Sequence, residues 1–215
     1  MNKIYLLVLI ISIPNMAYPK NSFIIEPFVN IRTGNWSGPE ETSDYVLEKS
    51  GTFTGYGIGI NILKKKSYFL FGGSYTFTNS KWKYAKSSDI SNDDDWREDL
   101  SATQQDIAAL GGLILGKQGE FTILYGYSFY SRLKYKNDLD PDNPAKILIG
   151  DYHKVLMSTA FFSNFRFNVE FQWGKFDKIL IGSSEVNLPG TYNSVKYKTY
   201  SYSDLSYYFS FPFSF

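Results

Sequence analysis

The chain has no cysteine. That absence excludes disulfides, thiolate metal centres and a lipid-modified N-terminal cysteine. It also lacks a long hydrophobic run. The longest, Ile4 to Ile13, is about half of the roughly 20 residues that a membrane-spanning helix needs. Charge of one sign is missing as well. Cleavage after Ala17 would remove Lys3 and leave 21 basic against 21 acidic residues. A chain without net charge lacks the basic stripe that nucleic acid demands, so no nucleic-acid partner is expected. Aromatic residues, by contrast, are abundant: 4 Trp, 18 Tyr and 18 Phe in 215 residues. Such a composition excludes a disordered chain and suits one domain with room for a sizeable core.

The short apolar run stands behind Lys3, stops at Pro14 and precedes small Ala17. This is the arrangement of a secretory signal peptide, expected over 1–17, with a single domain over 18–215.

Beyond residue 22 the period is two. Phe165, Phe167, Val169, Phe171 and Trp173 alternate with Arg166, Asn168, Glu170, Gln172 and Gly174. Leu205, Tyr207, Phe209, Phe211, Phe213 and Phe215 alternate with Asp204, Ser206, Tyr208, Ser210, Pro212 and Ser214. Successive side chains of a strand point to opposite faces, so each such segment has a greasy face and a wet one. Eight segments of this kind are expected near 22–33, 52–63, 67–79, 102–116, 120–135, 151–163, 165–177 and 197–215. The connections between them alternate short (64–66, 117–119, 163–164) and long (34–51, 80–101, 136–150, 178–196).

Alternation alone permits a secreted lipocalin-like barrel that binds a ligand inside. Bulk decides against it. An eight-stranded barrel has just enough interior width for side chains to fill, and rows of Phe and Tyr from every strand would overpack it. The opposite face carries Gly55, Gly57, Gly59, Gly72, Ser74, Gly112, Gly126 and Ser128. The expected fold is therefore all-β: an eight-stranded antiparallel transmembrane up-and-down β-barrel, greasy outside and polar inside. Closure satisfies its backbone polar groups without water. The run Gly55-Tyr56-Gly57-Ile58-Gly59 precedes no helix and is no phosphate loop; on the inner face it makes room for large neighbours such as Phe28.

With its leader, alternating strands, short-turn and long-loop asymmetry and C-terminal Tyr207-Tyr208-Phe209-Ser210-Phe211-Pro212-Phe213-Ser214-Phe215, the chain resembles the small bacterial outer-membrane barrels of the OmpA/OmpX/OmpW type. The resemblance implies periplasmic termini, four loops outside the cell, outer-membrane lipid and lipopolysaccharide as surroundings, and aromatic girdles at both boundaries. It also implies that Tyr207, Phe211, Phe213 and Phe215 are the signal read by the barrel-assembly machinery. Pro212 departs from that pattern and should sit at a bulge or edge-like position.

The wet face holds charges expected to form a lumen network: Glu26, Arg32, Asp106, Arg132, Lys134, Arg166, Glu170 and Asp204. Pairing Leu115 with Ile123 would put Asp106 opposite Arg132, and Arg32 is expected to pair with Asp204. Catalytic, cofactor and metal sites are not expected. An enzyme acting on lipid A would need the one histidine, His153, near Asp151. However, position 155 is Val where a deacylase-like spacing needs Ser, and no Asp-Ser dipeptide occurs. The acidic stretches, Asp89 to Asp99 and Asp138-x-Asp140-x-Asp142, read as solvated loops. Pro141 intrudes in the second, and Ile149 stands where a calcium loop needs Glu. The expected function is that of a non-enzymatic outer-membrane barrel: envelope structure, a surface partner through the long loops, or narrow passage of small hydrophobic solutes. A lipid A-modifying enzyme is the alternative.

Overall fold

A computed structural model describes residues 21–38, 40–41, 46–88, 97–115, 121–137, 145–162 and 165–215. The leader expected over 1–17, the short connections 117–119 and 163–164, and the acidic runs 89–96 and 138–142 lie outside the described residues. In chain order the strands are β1 (Asn21–Ser37), β2 (Glu40–Glu41), β3 (Val46–Lys66), β4 (Phe69–Ser88), β5 (Arg97–Leu115), β6 (Phe121–Asn137) and β7 (Lys146–Phe162). They continue with β8 (Phe165–Ile181), β9 (Ser184–Asn187), β10 (Gly190–Tyr192), β11 (Val195–Tyr197), β12 (Tyr200–Ser210) and β13 (Phe213–Ser214).

Every neighbouring pair is antiparallel, and β1 pairs with β3 on one side and β12 on the other. The wall β1–β3–β4–β5–β6–β7–β8–β12 therefore closes on itself as the expected eight-stranded up-and-down barrel. Near the closing seam the β1–β12 ladder is interrupted at Phe211–Pro212. It resumes in β13 without a register shift, because Phe28 faces Ser210 and Ile25 faces Phe213. Pro212 has no N–H to give, so the interruption falls where the ladder loses a donor.

The aromatic rows lie outside. Tyr207, Phe209, Phe211 and Phe213 are each 44–50 % exposed, while Tyr208, Ser206 and Ser210 between them are buried. A single-residue slip of any strand would exchange the two faces, so the ladder register and the sidedness are one fact. The exposed apolar row of β1 runs from Phe23 to Ile31. At ~3.4 Å per residue and a tilt of ~40° it covers about 20 Å along the barrel axis, close to the ~25 Å band of a membrane barrel. A soluble ligand-binding barrel would carry these rings inside.

Three details differ from the sequence reading. The strands run on past the apolar band at the loop end: β3 begins at Val46 and β7 at Lys146. Backbone pairing does not stop where hydropathic alternation stops. The first hairpin turns at Ser67–Tyr68, two residues later than expected, with Ser67 at φ 58° and Lys66 facing Phe69. The stretch 178–196, expected as an open loop, is instead a pair of hairpins. One turns at Gly182–Ser183, with positive φ (63°) at Gly182, and the other at Asn193–Ser194, where both residues have the positive φ that a two-residue type I′ turn requires. β11 then pairs with β2, which pairs with β3, so this extension is stitched to the opposite side of the wall.

Candidate functional site

The lumen is filled in three layers. At the turn end, Ile24, Phe28, Leu63, Leu70, Leu110, Ile114, Leu124, Leu156 and Tyr208 form one apolar cluster. At the loop end Trp36, Phe53, Trp82, Leu133, Leu148, Tyr152, Phe176, Tyr200 and Tyr202 belong to another. The hairpins of the extension pack onto that second cluster through Val186, Leu188, Tyr192 and Val195, so they cap it. The expectation of a polar interior thus holds only for its middle. Large rings fit because their neighbours are small. An added Cβ on Gly59 would stand 2.3 Å from Phe28 Cζ, so this glycine leaves the room that the ring fills. Phe53 stacks on Trp82 at 4.8 Å between centroids.

Between the two clusters lies a belt of charges. Arg32 Nη2 donates to Asp204 Oδ2 at 2.5 Å, and Arg32 Nη1 donates to Gln104 Oε1 at 3.0 Å. The Arg32–Asp204 side chains are 1 % and 0 % exposed. Gln172 Nε2 and Ser206 Oγ also donate to Asp204 Oδ1, at 3.1 and 3.2 Å. Gln104 Nε2 donates to Asp106 Oδ1 at 3.0 Å and to Ser131 Oγ at 3.1 Å. Lys154 Nζ lies 3.1 Å from Glu170 Oε2. Nearer the turn end, Glu26 Oε1 accepts from Ser210 Oγ at 2.6 Å and has Arg166 Nη1 at 3.8 Å. Among the described residues the buried charged ones are Arg32, Lys65, Lys154 and Arg166 against Glu26, Asp106, Glu170 and Asp204, four of each sign. Charges taken out of water must be balanced and hydrogen-bonded in this way to be tolerable.

Glu26, Arg32, Asp106, Arg166, Glu170 and Asp204 thus lie inside, and Arg32 meets Asp204. Arg132 does not belong with them. It is exposed on the outer wall, as is Lys134, and Asp106 faces Ser131 instead. The cause is one extra residue. Ala108 pairs with Ser128 but Ile107 pairs with Tyr130, leaving Phe129 as a bulge. Ser128 Oγ holds the bulge by donating to Ile107 O at 3.0 Å and Tyr130 O at 2.9 Å. Past the bulge the faces of β6 exchange, so Ser131 and Leu133 turn in while Tyr130, Arg132 and Lys134 turn out. The side-by-side exposed pair Phe129 and Tyr130 was the sequence signal for it. The sequence reading also missed Lys154, whose strand alternates poorly, and the amides Gln104 and Gln172.

His153 sits on the outer face. Its Nδ1 shares a hydrogen bond with Tyr125 Oη at 2.5 Å, and its ring stacks on Trp173 at 5.7 Å. Asp151, the carboxylate expected near it, accepts from Tyr127 Oη at 2.7 Å. Among the described residues the hydroxyl hydrogen-bonded to this histidine is that of Tyr125, not of a serine or threonine. Trp36 and Trp82 lie within the loop-end cluster, while Trp173 joins Tyr125 and Tyr127 on the outer wall. Phe215 is the most exposed ring of the C-terminal row, held through its backbone: Phe215 N donates to Phe23 O at 2.9 Å, and Phe23 N to Phe215 O at 3.0 Å.

No family model and no curated protein matches this sequence. Among solved structures the chain is similar to Neisserial surface protein A, at 14 % identity over 85 % of this chain and 96 % of that one, with a TM-score of 0.43. It is also similar to the outer-membrane protein OprG from Pseudomonas aeruginosa, at 9 % identity over 93 % and 98 %, TM-score 0.45. A third likeness is to the outer-membrane protease OmpT from Escherichia coli, at 9 % identity over 93 % and 99 %, TM-score 0.40.

Proposed function

We propose that this protein is a non-enzymatic barrel of the bacterial outer membrane whose work is structural and surface-presenting rather than conductive. The observation that carries this reading is the filled lumen: an ion-paired belt between two apolar clusters, the outer one capped by the extension. Eight strands leave room only for their own side chains, so such a barrel has no aqueous channel. The wall is ladder-paired all the way round, which argues against a sideways path for hydrophobic solutes. What projects beyond the apolar band is β-structure: the loop ends of β3 to β7 and the hairpins β8–β9 and β10–β11. That is a platform for a surface partner.

In this reading residues 1–17 direct export, and both termini lie in the periplasm. Tyr207, Phe211, Phe213 and Phe215 present the terminal strand to the assembly machinery. Lipid and lipopolysaccharide surround the band of outward rings. The Tyr125 hydroxyl and the Trp173 ring beside His153 favour a boundary anchor over a catalytic base.

The test is reconstitution. Purified protein should require detergent, migrate differently on gels before and after boiling, and give no stepwise current in planar bilayers. Protease added to whole cells should cut in the long loops. Steady conductance steps from a folded preparation would overturn the closed-lumen reading. A change in lipid A mass that depends on His153 would overturn the non-enzymatic one.

A further inference from the structure

On the outer wall, apolar side chains give way to polar ones over three successive rows across four strands. The ladder aligns Ile58, Phe77, Gln105 and Arg132 in one row. It aligns Tyr56, Asn79, Thr103 and Lys134 in the next, and Thr54, Lys81, Ser101 and Lys136 above that. Neighbouring strands lie ~4.8 Å apart, so Lys81 and Lys136 stand about 10 Å from each other with the short Ser101 between them. Long cations flank a floor of hydroxyls and an amide, and the resulting open groove measures about 880 Å³. Lys81 Nζ donates to Ser101 Oγ at 2.6 Å. Arg132, Lys134 and Lys136 have no ion-pair partner among the described residues. In the backbone register, position 99 falls opposite Lys83, one step beyond the groove.

The concentration of positive charge is local. Continued across β7 and β8, the row through Arg132 meets Ile149 and then Lys178, whose charge is paired with Glu185. Directly below the basic groove, within the apolar band, is a second groove of about 490 Å³. It is lined by Val29, Ile58, Ile60, Tyr75, Phe77 and Phe211. Ile31 and Tyr56 line the upper groove and Val29 and Ile58 the lower, so one leads into the other along β1 and β3.

We infer that this wall of β1 and β3–β6 is a specific lipid site, taking a phosphorylated, acylated sugar lipid. Its phosphates would lie on Lys81, Lys134 and Lys136, its sugar hydroxyls over Ser101, Thr103 and Asn79, and an acyl chain along Val29, Ile58 and Phe77. Two separated cation positions with hydroxyl groups between them fit a bisphosphorylated disaccharide better than a single-phosphate glycerolipid. The site rests on the outer-membrane reading, which puts the loop end in the leaflet that holds such lipids.

The test uses the full mature chain folded in zwitterionic detergent, with bound lipid followed by native mass spectrometry. The probes are bisphosphorylated lipid A, its dephosphorylated form, phosphatidylglycerol and inorganic phosphate. Wild type should retain bisphosphorylated lipid A preferentially, with neither phosphatidylglycerol nor free phosphate displacing it at equal concentration. Lys81→Ser/Lys134→Ser/Lys136→Ser should weaken retention on the order of a hundredfold, at roughly fivefold per lysine. The charge-matched control Lys64→Ser/Lys66→Ser/Lys175→Ser, at exposed positions elsewhere, should change it by less than about threefold. Equal loss in both triple variants, no loss in the first, or displacement by either competitor overturns the site. If the first triple variant does not fold, Lys134→Ser and Lys136→Ser singly carry the same comparison. Folding of the wild type without any amphiphile would instead overturn the membrane reading beneath it.

Discussion

Removing one member of the Arg32–Asp204 pair should cost this barrel about 3–5 kcal/mol, whereas removing both should cost far less than the sum. Both side chains are essentially inaccessible, so neither lone charge can be rescued by water. The two single variants should differ. In Arg32→Met, Asp204 keeps the donors Gln172 Nε2 and Ser206 Oγ, which places the cost near the low end, about 3 kcal/mol. In Asp204→Leu, Arg32 keeps Gln104 Oε1, the more distant carboxylate of Asp106 and the face of Phe53 at 5.2 Å, but no direct ion pair, and its Nε already lacks a partner. That variant should cost nearer 5 kcal/mol. The double variant removes both members of the pair and leaves Asp106 held by Gln104, Ser131 and the field of Lys154, so the coupling between the sites should be at least ~2 kcal/mol. The assay is urea unfolding of micelle-refolded protein, read by tryptophan fluorescence and by the gel mobility of the folded form. Singles below ~1 kcal/mol, or a double that adds to within ~0.5 kcal/mol, would refute the argument that this pair is dry and mutually dependent.

The same unfolding assay checks three other expectations. Arg132→Glu should change stability by no more than about 0.5 kcal/mol, because the side chain is exposed on the outer wall; a loss of several would mean that it belongs inside after all. Gly59→Ala should cost about 1–3 kcal/mol, since its Cβ would meet Phe28 Cζ at 2.3 Å and Tyr75 O at 2.6 Å; Phe28→Leu in the same chain should recover only part, because the carbonyl stays. Phe215→Ala should leave refolded stability within about 1 kcal/mol, its ring being 78 % exposed, while the yield of inserted protein in cells falls severalfold; equal effects on both would remove the assembly role proposed for it.

By itself the sequence determined the architecture. Period-two alternation in eight segments sets which residues share a face, and the bulk of the aromatic rows forces that face outward, because the interior of eight strands cannot hold them. The facings of Glu26, Arg32, Arg166, Glu170 and Asp204 follow from strands whose alternation is unbroken, and so does the approach of Arg32 to Asp204. Tertiary structure alone decided whatever depends on a single inserted residue or on packing across the barrel. Phe129 bulges out of β6 and reverses every side chain after it, which local hydropathy cannot count, so Arg132 left the lumen and Ser131 entered it. Lys154 and the amides Gln104 and Gln172 joined the belt because charges contributed by distant strands needed partners there. Residues 178–196 have the turn dipeptides Gly182-Ser183 and Asn193-Ser194. They became a cap only because the loop-end cluster offered apolar surface for Val186 and Tyr192 to cover. Alternation is a local property of an extended backbone; register, bulges and plugs are settled by what stands across the barrel.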